Sequence, residues 1–188
     1  MGRWQPDARG RLERAALELY VERGFERTSV AEIAERAGLT ERTFFRHYAD
    51  KREVLFAGSS LLQEALVGAV AGAPESFTAL DAVAAALGAA AAVLQERQEH
   101  ARRRQSVIDA NTELQERELI KLASLSTALA GALRQRGVDD ASAGLAAEVG
   151  IAIFKIAFRL WVDRTDDREL SEFIGQSFAG LKAVTADG

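Results

Sequence analysis

Three side chains in one short stretch, Arg42, Thr43 and Arg46, are of the types that read the edges of DNA bases. Arginine donates paired hydrogen bonds to guanine, and threonine offers either a hydroxyl or a methyl group. At about 100° per residue these three cluster on one side of a helix, whereas Phe44 and Tyr48 point together on the other side. The aromatic pair is therefore the predicted core contact. The alternative is that Arg42 and Arg46 are ordinary solvated charges.

The residues before this stretch predict the element that would present it. Ser29 followed by Glu32 is a capping-box start for a first short helix, and Gly38 can adopt the left-handed conformation that ends it. Thr40 is a good N-cap for a second helix, residues 41–48. Two helices around a tight, glycine-containing turn are typical of a helix-turn-helix, whose second helix can enter the major groove.

A second capping box, Asp50 with Glu53, predicts that Lys51 and Arg52 lie in the first turn of the next helix. Cations in that position oppose the helix macrodipole at a cost of about 0.3–1 kcal/mol each. The placement is favourable if an anion docks there, because free backbone N–H groups and a lysine make a phosphate site.

Residues 9–55 resemble the DNA-binding domain of the TetR family of one-component transcriptional regulators. The matching residues are Val21–Phe25, Thr28–Val30, Ile33, Ala34, Ala37–Thr40, Thr43–Tyr48 and Lys51. The resemblance implies a DNA-binding regulator, a repressor that binds a palindromic operator as a homodimer and is released by a small-molecule effector.

The same resemblance implies roles for single residues. Arg42, Thr43 and Arg46 would face bases, and the phosphate backbone would be contacted at Thr28, Thr40, Phe45, His47 and Lys51. The family typically has a tyrosine where Phe45 stands, and its hydroxyl helps to hold a phosphate. Phenylalanine cannot donate that hydrogen bond.

The hydrophobic pattern predicts an all-α protein of about nine helices, with a helix-turn-helix domain at 1–50 and a helical ligand-binding and dimerisation domain at 51–188. Helix 4 is predicted to run without a break from residue 51 to about residue 71. Arg3 and Trp4 could form an arm that touches DNA, although disorder is the expected state of residues 1–7.

Helix 8, residues 141–163, is apolar on two sides, so one side is expected to meet the core and the other a partner chain. Helix 9, residues 168–184, carries Gly175 and Gly180, which would allow a close approach of helices. We therefore predict that helices 8 and 9 of two chains form a four-helix bundle. One stripe of helix 8 contains Leu145, Val149, Ile153, Ile156 and Leu160.

The C-terminal part could also enclose an effector, although the same residues could form an ordinary core. The run Arg102–Arg104 is more typical of a solvated face, but Arg103, Arg104 and Asn111 could hold a charged or carbonyl-bearing ligand. The segment Thr40–Arg46 is similar to a family subset whose effectors include acyl-coenzyme-A-like molecules, so the expected effector is small and hydrophobic or acyl-type. The remaining candidate residues are Leu87, Leu94, Ile108, Leu125, Leu129, Phe154 and Phe158.

The composition argues against other classes of function. The 188 residues include no Cys and two His, and we find no Glu-x-x-His pair, glycine-rich phosphate loop or zinc-binding pattern, so we expect no enzyme, metal or cofactor. Residues 1–56 carry 11 Lys and Arg against 10 Asp and Glu, and residues 57–188 carry 13 against 18. DNA binding would thus depend on a few well-placed cations.

The chain starts with no signal-peptide pattern, and its longest uncharged stretch, residues 82–95, is too short to span a bilayer. We therefore expect a cytoplasmic protein without a membrane partner. A helical adaptor without ligand control is the alternative function.

Overall fold

The computed structural model describes residues 7–164, 166 and 168–186. Arg3 and Trp4 lie outside these residues. The described chain is all-helical, as predicted, with nine α helices and one 3₁₀ turn at Glu53–Phe56. The helices are α1 (Ala8–Arg23), α2 (Val30–Arg36), α3 (Glu41–His47), α4 (Ser59–Gly72), α5 (Ala79–Gln95), α6 (Gln98–Asp109), α7 (Thr112–Gln135), α8 (Asp140–Asp163) and α9 (Leu170–Ala186).

The chain forms two compact units. The N-terminal unit comprises Met1–Gly58 and Arg103–Glu118, and the C-terminal unit comprises Ser59–Arg102 and Leu119–Gly188. The first unit thus includes a second, distant segment of sequence. The domain boundary at residue 50 stays a prediction.

The core of the N-terminal unit joins the first three helices to residues from the distant segment. Leu12, Ile33 and Phe44, from α1, α2 and α3, are each fully buried. Ile108 and Leu114 belong to the same cluster and are also fully buried. The three-helix head is therefore completed by apolar side chains that lie more than 60 residues further along the chain.

The predicted course of helix 4 is wrong at its start. Residues 51 and 52 form a turn, the 3₁₀ turn follows, and α4 begins only at Ser59. Gly58, which directly precedes α4, has lower helix propensity than its neighbours Ala57 and Ser59. The break also allows Val54, Leu55 and Phe56, three consecutive residues, to be buried together. Lys51 and Arg52 therefore do not lie in the first turn of a long helix.

The C-terminal unit is built around α5 and α8, which approach closely. Gly150 of α8 is buried against Val83 of α5. Fully buried Leu87, Leu129 and Trp161 belong to the same cluster. Helix α5 begins with a capping box formed by Thr78 and Asp81. The core of this unit is therefore tightly packed where its two central helices cross.

The segment Glu53–Gly72 is long and apolar enough to cross a membrane by length and composition alone. It consists of the 3₁₀ turn, a turn at residues 57–58 and α4. One such segment is weak grounds for membrane insertion, because core helices of soluble proteins have the same composition.

Candidate DNA-binding surface

Helix α3 is fixed by a cap at one end and by two buried aromatic rings. The Thr40 hydroxyl accepts a hydrogen bond from the backbone N–H of Thr43 at 3.2 Å. Phe44 is 0% exposed and Tyr48 is 5% exposed, with 5.6 Å between their ring centroids. The predicted core pair is confirmed. Since α3 has only seven residues, these contacts determine which of its sides can turn outward.

The opposite side of α3 is exposed. Arg42 and Arg46 are exposed, and neither makes a hydrogen bond or an ion pair with any residue that the structure describes. Thr43 is half-buried, and its hydroxyl lies 3.1 Å from the Thr40 hydroxyl. Two guanidinium groups with all their N–H donors available are thus presented from a rigid, two-turn helix.

Phe45 and His47 flank this side. Phe45 is 55% exposed and rests edge-on against Phe44, with ring centroids 5.5 Å apart. His47 is exposed near the Tyr48 ring. Phe45 offers only apolar contact, whereas the imidazole of His47 can donate a hydrogen bond.

The turn between α2 and α3 is held from within and from α1. Gly38 has φ +63°, as its predicted role requires, and Leu39 N–H donates to the Ala34 carbonyl at 2.8 Å. The Arg11 guanidinium donates to the carbonyls of Ala37 and Gly38. The corner of the helix-turn-helix is therefore closed by an arginine of α1.

The start of α2 shows the predicted capping box. The Ser29 backbone N–H donates to the Glu32 carboxylate at 2.8 Å, and Glu32 N–H donates to the Ser29 hydroxyl at 3.2 Å. The Ser29 N–H and hydroxyl, with Arg23 nearby, hold the pKa of Glu32 below its ordinary value. The cap therefore contains an ionised carboxylate, which also suits the positive end of the helix dipole.

Thr28 and Lys51 differ from the other predicted phosphate contacts, because their side chains turn inward. Thr28 is 1% exposed, and its hydroxyl donates to the Gly24 carbonyl at 2.9 Å. The Lys51 ammonium donates to three backbone carbonyls, those of Phe25, Glu26 and Thr28. In this conformation neither side chain has a donor available for a phosphate, so these two contacts stay predictions.

Arg52 is also held by the protein. Its guanidinium donates to the Asp50 carboxylate at 2.6 Å and to Glu113 at 2.8 Å. Asp50 additionally accepts from the backbone N–H groups of Arg52 and Glu53. The Arg52 guanidinium, followed by these N–H groups, lowers the pKa of Asp50. The expected anion site at this end is therefore occupied by the carboxylate of the chain itself.

The predicted effector residues divide between the two units. The C-terminal unit contains six of them in one apolar cluster: Leu87, Leu94, Leu125, Leu129, Phe154 and Phe158. The N-terminal unit contains the other four, Arg103, Arg104, Ile108 and Asn111. The structure thus brings only the apolar members together.

The four members in the N-terminal unit include three with clear internal contacts. Arg104 donates to the Leu55 carbonyl at 2.6 Å and pairs with Glu118 at 3.4 Å, and burial lowers its pKa. Ile108 is 0% exposed, and the Asn111 amide donates to the Val107 carbonyl at 2.6 Å. These contacts are structural, and the effector role of the four residues stays a prediction.

A groove of about 370 Å³ in the N-terminal unit was not anticipated from the sequence. It lies between the end of α1 with the following loop and the C-terminal part of α6. Asn111 is the one predicted effector residue that lines it. Only long-range packing creates this groove, so local sequence patterns contain no signal for it.

Two family models match the chain. Residues 13–57 match the model of bacterial regulatory proteins of the tetR family, and residues 77–186 match the model of the MftR C-terminal domain. The first match contains the whole helix-turn-helix, and the second contains α5 to α9.

Individual proteins agree with these matches. The chain is 41% identical to the HTH-type transcriptional regulator TcmR of Streptomyces glaucescens over 81 residues, which span 43% of this chain and only 36% of TcmR. It is 26% identical over 181 residues, 95% of this chain and 91% of the relative, to the putative mycofactocin biosynthesis transcriptional regulator MftR of Mycobacterium tuberculosis.

A solved structure shows the same fold. The regulator FadR of Bacillus subtilis, in complex with stearoyl-CoA, superposes with a TM-score of 0.61 at 19% identity, over 89% of this chain and 94% of FadR. Together with the two family models, the capped, outward-facing α3 leads to one conclusion: the chain belongs to the tetR family of bacterial regulatory proteins and is a DNA-binding transcriptional regulator.

Proposed function

We propose that this regulator is a repressor that binds a palindromic operator as a homodimer and leaves it when a small hydrophobic or acyl-type effector binds. The observation that carries the DNA-binding step is the orientation of α3. Phe44 and the C-cap residue Tyr48 are buried in the core, while Arg42 and Arg46 project from the other side with free guanidinium groups. A seven-residue helix held in this way can enter the major groove as a rigid reader.

We assign base reading to Arg42, Thr43 and Arg46, and contacts with the phosphate backbone to Thr40, Phe45 and His47. The arginines suit guanine, because a guanidinium can donate two hydrogen bonds to one base edge. Phe45 would contribute van der Waals contact with the backbone. Two copies of so short a reader must act together, which favours half-sites whose centres are about 34–36 Å apart.

Selection from a random DNA library with the purified full chain tests this step. We expect enrichment of a two-fold symmetric sequence containing a guanine in each half-site, and binding that weakens steeply as salt increases. Enrichment of no sequence, with equal affinity for all DNA, would contradict the proposal and favour an adaptor function.

The proposed dimer uses α8 and α9. Leu145, Ile156 and Leu160 of α8 are exposed by 68%, 56% and 47%, and they lie on one stripe of the helix. The buried side of α8 instead faces the core through Ile151, Phe154 and Trp161, among others. Val149 and Ile153 of the same predicted stripe instead pack in the core of the unit. Large apolar side chains exposed along one side of a helix are typical of a surface that a partner covers.

The glycines of α9 support the same surface. Gly175 and Gly180 are exposed, and a Cβ atom at either position would have no described atom within 4 Å beyond its chain neighbours and the backbone of its own helix. Packing among the described residues therefore does not require their small size, although glycine costs about 1 kcal/mol relative to alanine in a helix. Light scattering after size-exclusion chromatography should show a dimer at micromolar concentration. A stable monomer would contradict this part.

The effector step rests on the C-terminal unit. Its six predicted residues form one apolar cluster, in which the Phe154 and Phe158 rings lie 5.7 Å apart. The crystal structure of FadR, which shares the fold, contains FadR in complex with stearoyl-CoA. The Trp161 ring lies 5.7 Å from Phe158, and its indole N–H is buried without a hydrogen-bond partner among the described residues. An unpaired donor in an apolar core would favour a ligand with an apolar body and a carbonyl acceptor.

Thermal unfolding and operator binding measured with stearoyl-CoA test the effector step, with free coenzyme A as the control. We expect stearoyl-CoA alone to raise the unfolding temperature and release the operator. Trp161→Phe should weaken binding of stearoyl-CoA about threefold to tenfold, because it removes one hydrogen bond between the protein and the ligand. Equal responses to both compounds, or none across a series of chain lengths, would remove the support for an acyl effector.

A further inference from the structure

The Lys51 side chain makes an unusual set of contacts for a lysine on a DNA-binding unit. Its Nζ atom donates to the carbonyls of Phe25 at 2.9 Å, Thr28 at 3.0 Å and Glu26 at 3.4 Å. It also lies 4.3 Å from the centroid of the buried Phe25 ring. An ammonium group has three N–H donors, and here each has a carbonyl acceptor.

The loop that receives these bonds connects α1 to the helix-turn-helix. It runs over residues 24–28, and Ser29, the N-cap of α2, follows at once. Thr28 closes the loop from inside, since its N–H donates to the Phe25 carbonyl at 3.2 Å and its hydroxyl to Gly24. The position of the loop therefore sets where α2 begins.

The backbone at residue 51 is fastened to α1 as well. The Tyr20 hydroxyl donates to the Lys51 carbonyl at 2.6 Å, and burial raises the pKa of Tyr20, so the hydroxyl stays protonated. Lys51 itself follows α3 by only four residues. The Lys51 backbone thus fixes the segment after α3 against α1, while the Lys51 side chain fixes the loop before α2.

We propose that Lys51 is a positioning residue, rather than an anchor that donates to a DNA phosphate. It fixes the position of the helix-turn-helix relative to α1 from the side that faces the protein core. It joins the two ends of the motif, the loop before α2 and the segment after α3. The proposal rests on the proposed DNA binding only for its effect on operator affinity. Its effect on the free protein is independent of that function.

The chemistry of the contact requires an ammonium group. Its three donors radiate from one small atom and can converge on three carbonyls that lie close together, with the positive charge against the face of an aromatic ring. A guanidinium is planar and larger, so it cannot reproduce this arrangement. Lys51→Arg, which keeps the charge, is therefore not expected to replace the lysine, whereas it would replace a simple phosphate anchor.

The free protein supplies the first test. In Lys51→Met without DNA, we expect backbone amide hydrogens of residues 25–30 to exchange about tenfold faster and the unfolding temperature to fall by about 4–8 °C. Arg46→Met is the matched control, since Arg46 is an exposed cation without a partner among the described residues. It should leave both values unchanged. A Lys51→Met protein that also shows no change would overturn the proposal.

Binding at 10 °C, with the fold of each variant checked by circular dichroism, supplies the second test. We expect Lys51→Met and Lys51→Arg to lose about tenfold in affinity for the operator, with little change on scrambled DNA and an unchanged salt dependence. A phosphate anchor would instead lose affinity on both DNAs, reduce the salt slope by about one unit and be rescued by arginine. A merely stabilising residue would show normal operator affinity at this temperature. Either of these two results would overturn the proposal. If Lys51→Met does not fold, normal operator affinity of the Lys51→Arg protein overturns it by itself.

Discussion

Gly150 of α8 lies so close to Val83 of α5 that a Cβ atom at position 150 would be 2.3 Å from Val83 Cγ1. No pair of carbon atoms that are not bonded tolerates this distance, and Val83 is itself 0% exposed, so it has no room to move. We expect Gly150→Ala to lower the free energy of unfolding by about 1–3 kcal/mol. Chemical denaturation followed by circular dichroism measures this.

Two further variants make that prediction specific. Gly144→Ala, in the same helix, adds a methyl group that has no described atom within 4 Å beyond its chain neighbours and the backbone of its own helix, and it should stabilise the protein by about 0.5–1 kcal/mol. Val83→Ala combined with Gly150→Ala should cost less than the sum of the two single substitutions. Strict additivity would show that the contact between the two helices relaxes freely.

Truncation should affect stability much more at Phe44 than at Phe45, the two phenylalanines of α3. Phe44→Ala removes a ring that is 0% exposed and should lower the free energy of unfolding by about 3–5 kcal/mol. Phe45→Ala removes a ring that is 55% exposed and should change it by less than about 0.5 kcal/mol. Thermal unfolding of both variants checks the contrast, and similar losses would mean that the Phe45 ring is also part of the core.

Arg42→Ala tests base reading. We expect a loss of about 1–3 kcal/mol on the selected operator, together with a relaxed preference at one base pair of each half-site. Fluorescence anisotropy with a set of single-base operator variants measures both effects. The control is Arg134→Ala, whose guanidinium pairs with Asp140 in the C-terminal unit, and it should bind like the unchanged protein. An equal loss on every operator variant would assign Arg42 to the phosphate backbone.

Asp50→Asn tests the charge of the cap before the 3₁₀ turn. Arg52 and the N–H groups of residues 52 and 53 lower the pKa of Asp50, so its carboxylate stabilises the folded state above the ordinary pKa. That contribution is lost as the pH falls through the lowered, folded-state pKa. Unfolding free energies measured from pH 7 to pH 2 should therefore decline less steeply below about pH 4 in the variant, which is already less stable at pH 7. Parallel curves would mean that the carboxylate contributes no charge-dependent stability.

Ile156→Glu tests the exposed stripe of α8. A charge at a position that is 56% exposed costs little in a single chain but is costly in an apolar interface. We expect light scattering to report a monomer and operator affinity to fall sharply. Val93→Glu, at an exposed position of α5, is the control and should remain dimeric. A dimeric Ile156→Glu protein would place the interface elsewhere.

The local features of the head could be predicted because their causes lie within three or four residues. The capping residues Ser29 and Thr40, the left-handed Gly38 and the buried pair Phe44 and Tyr48 each follow from spacing alone. Helix periodicity then separates the outward side of α3 from its core side. This is the part of the candidate site that the structure reproduces as expected.

Contacts between distant residues could not be predicted in the same way. The carbonyl acceptors of Lys51 lie 23–26 residues earlier in the chain. No local sequence pattern distinguishes a lysine that donates to backbone carbonyls from a lysine whose ammonium group is available to a phosphate. Periodicity also continued helix 4 through Gly58, because burial of Val54 to Phe56 depends on the rest of the core. Similarly, Arg104 and Ile108 belong to the N-terminal unit only because of tertiary packing, which the local sequence does not reveal.

The hydrogen bonds from Arg11 to the carbonyls of Ala37 and Gly38 bear on how this reader could be transplanted. A peptide containing only α2 and α3 would lack the guanidinium that braces its corner, and its two helices would be free to splay. A chimera that takes on the operator preference of this chain therefore needs α1 transferred together with α2 and α3. Alternatively, the recipient's own first helix must contain an arginine at the position that corresponds to Arg11.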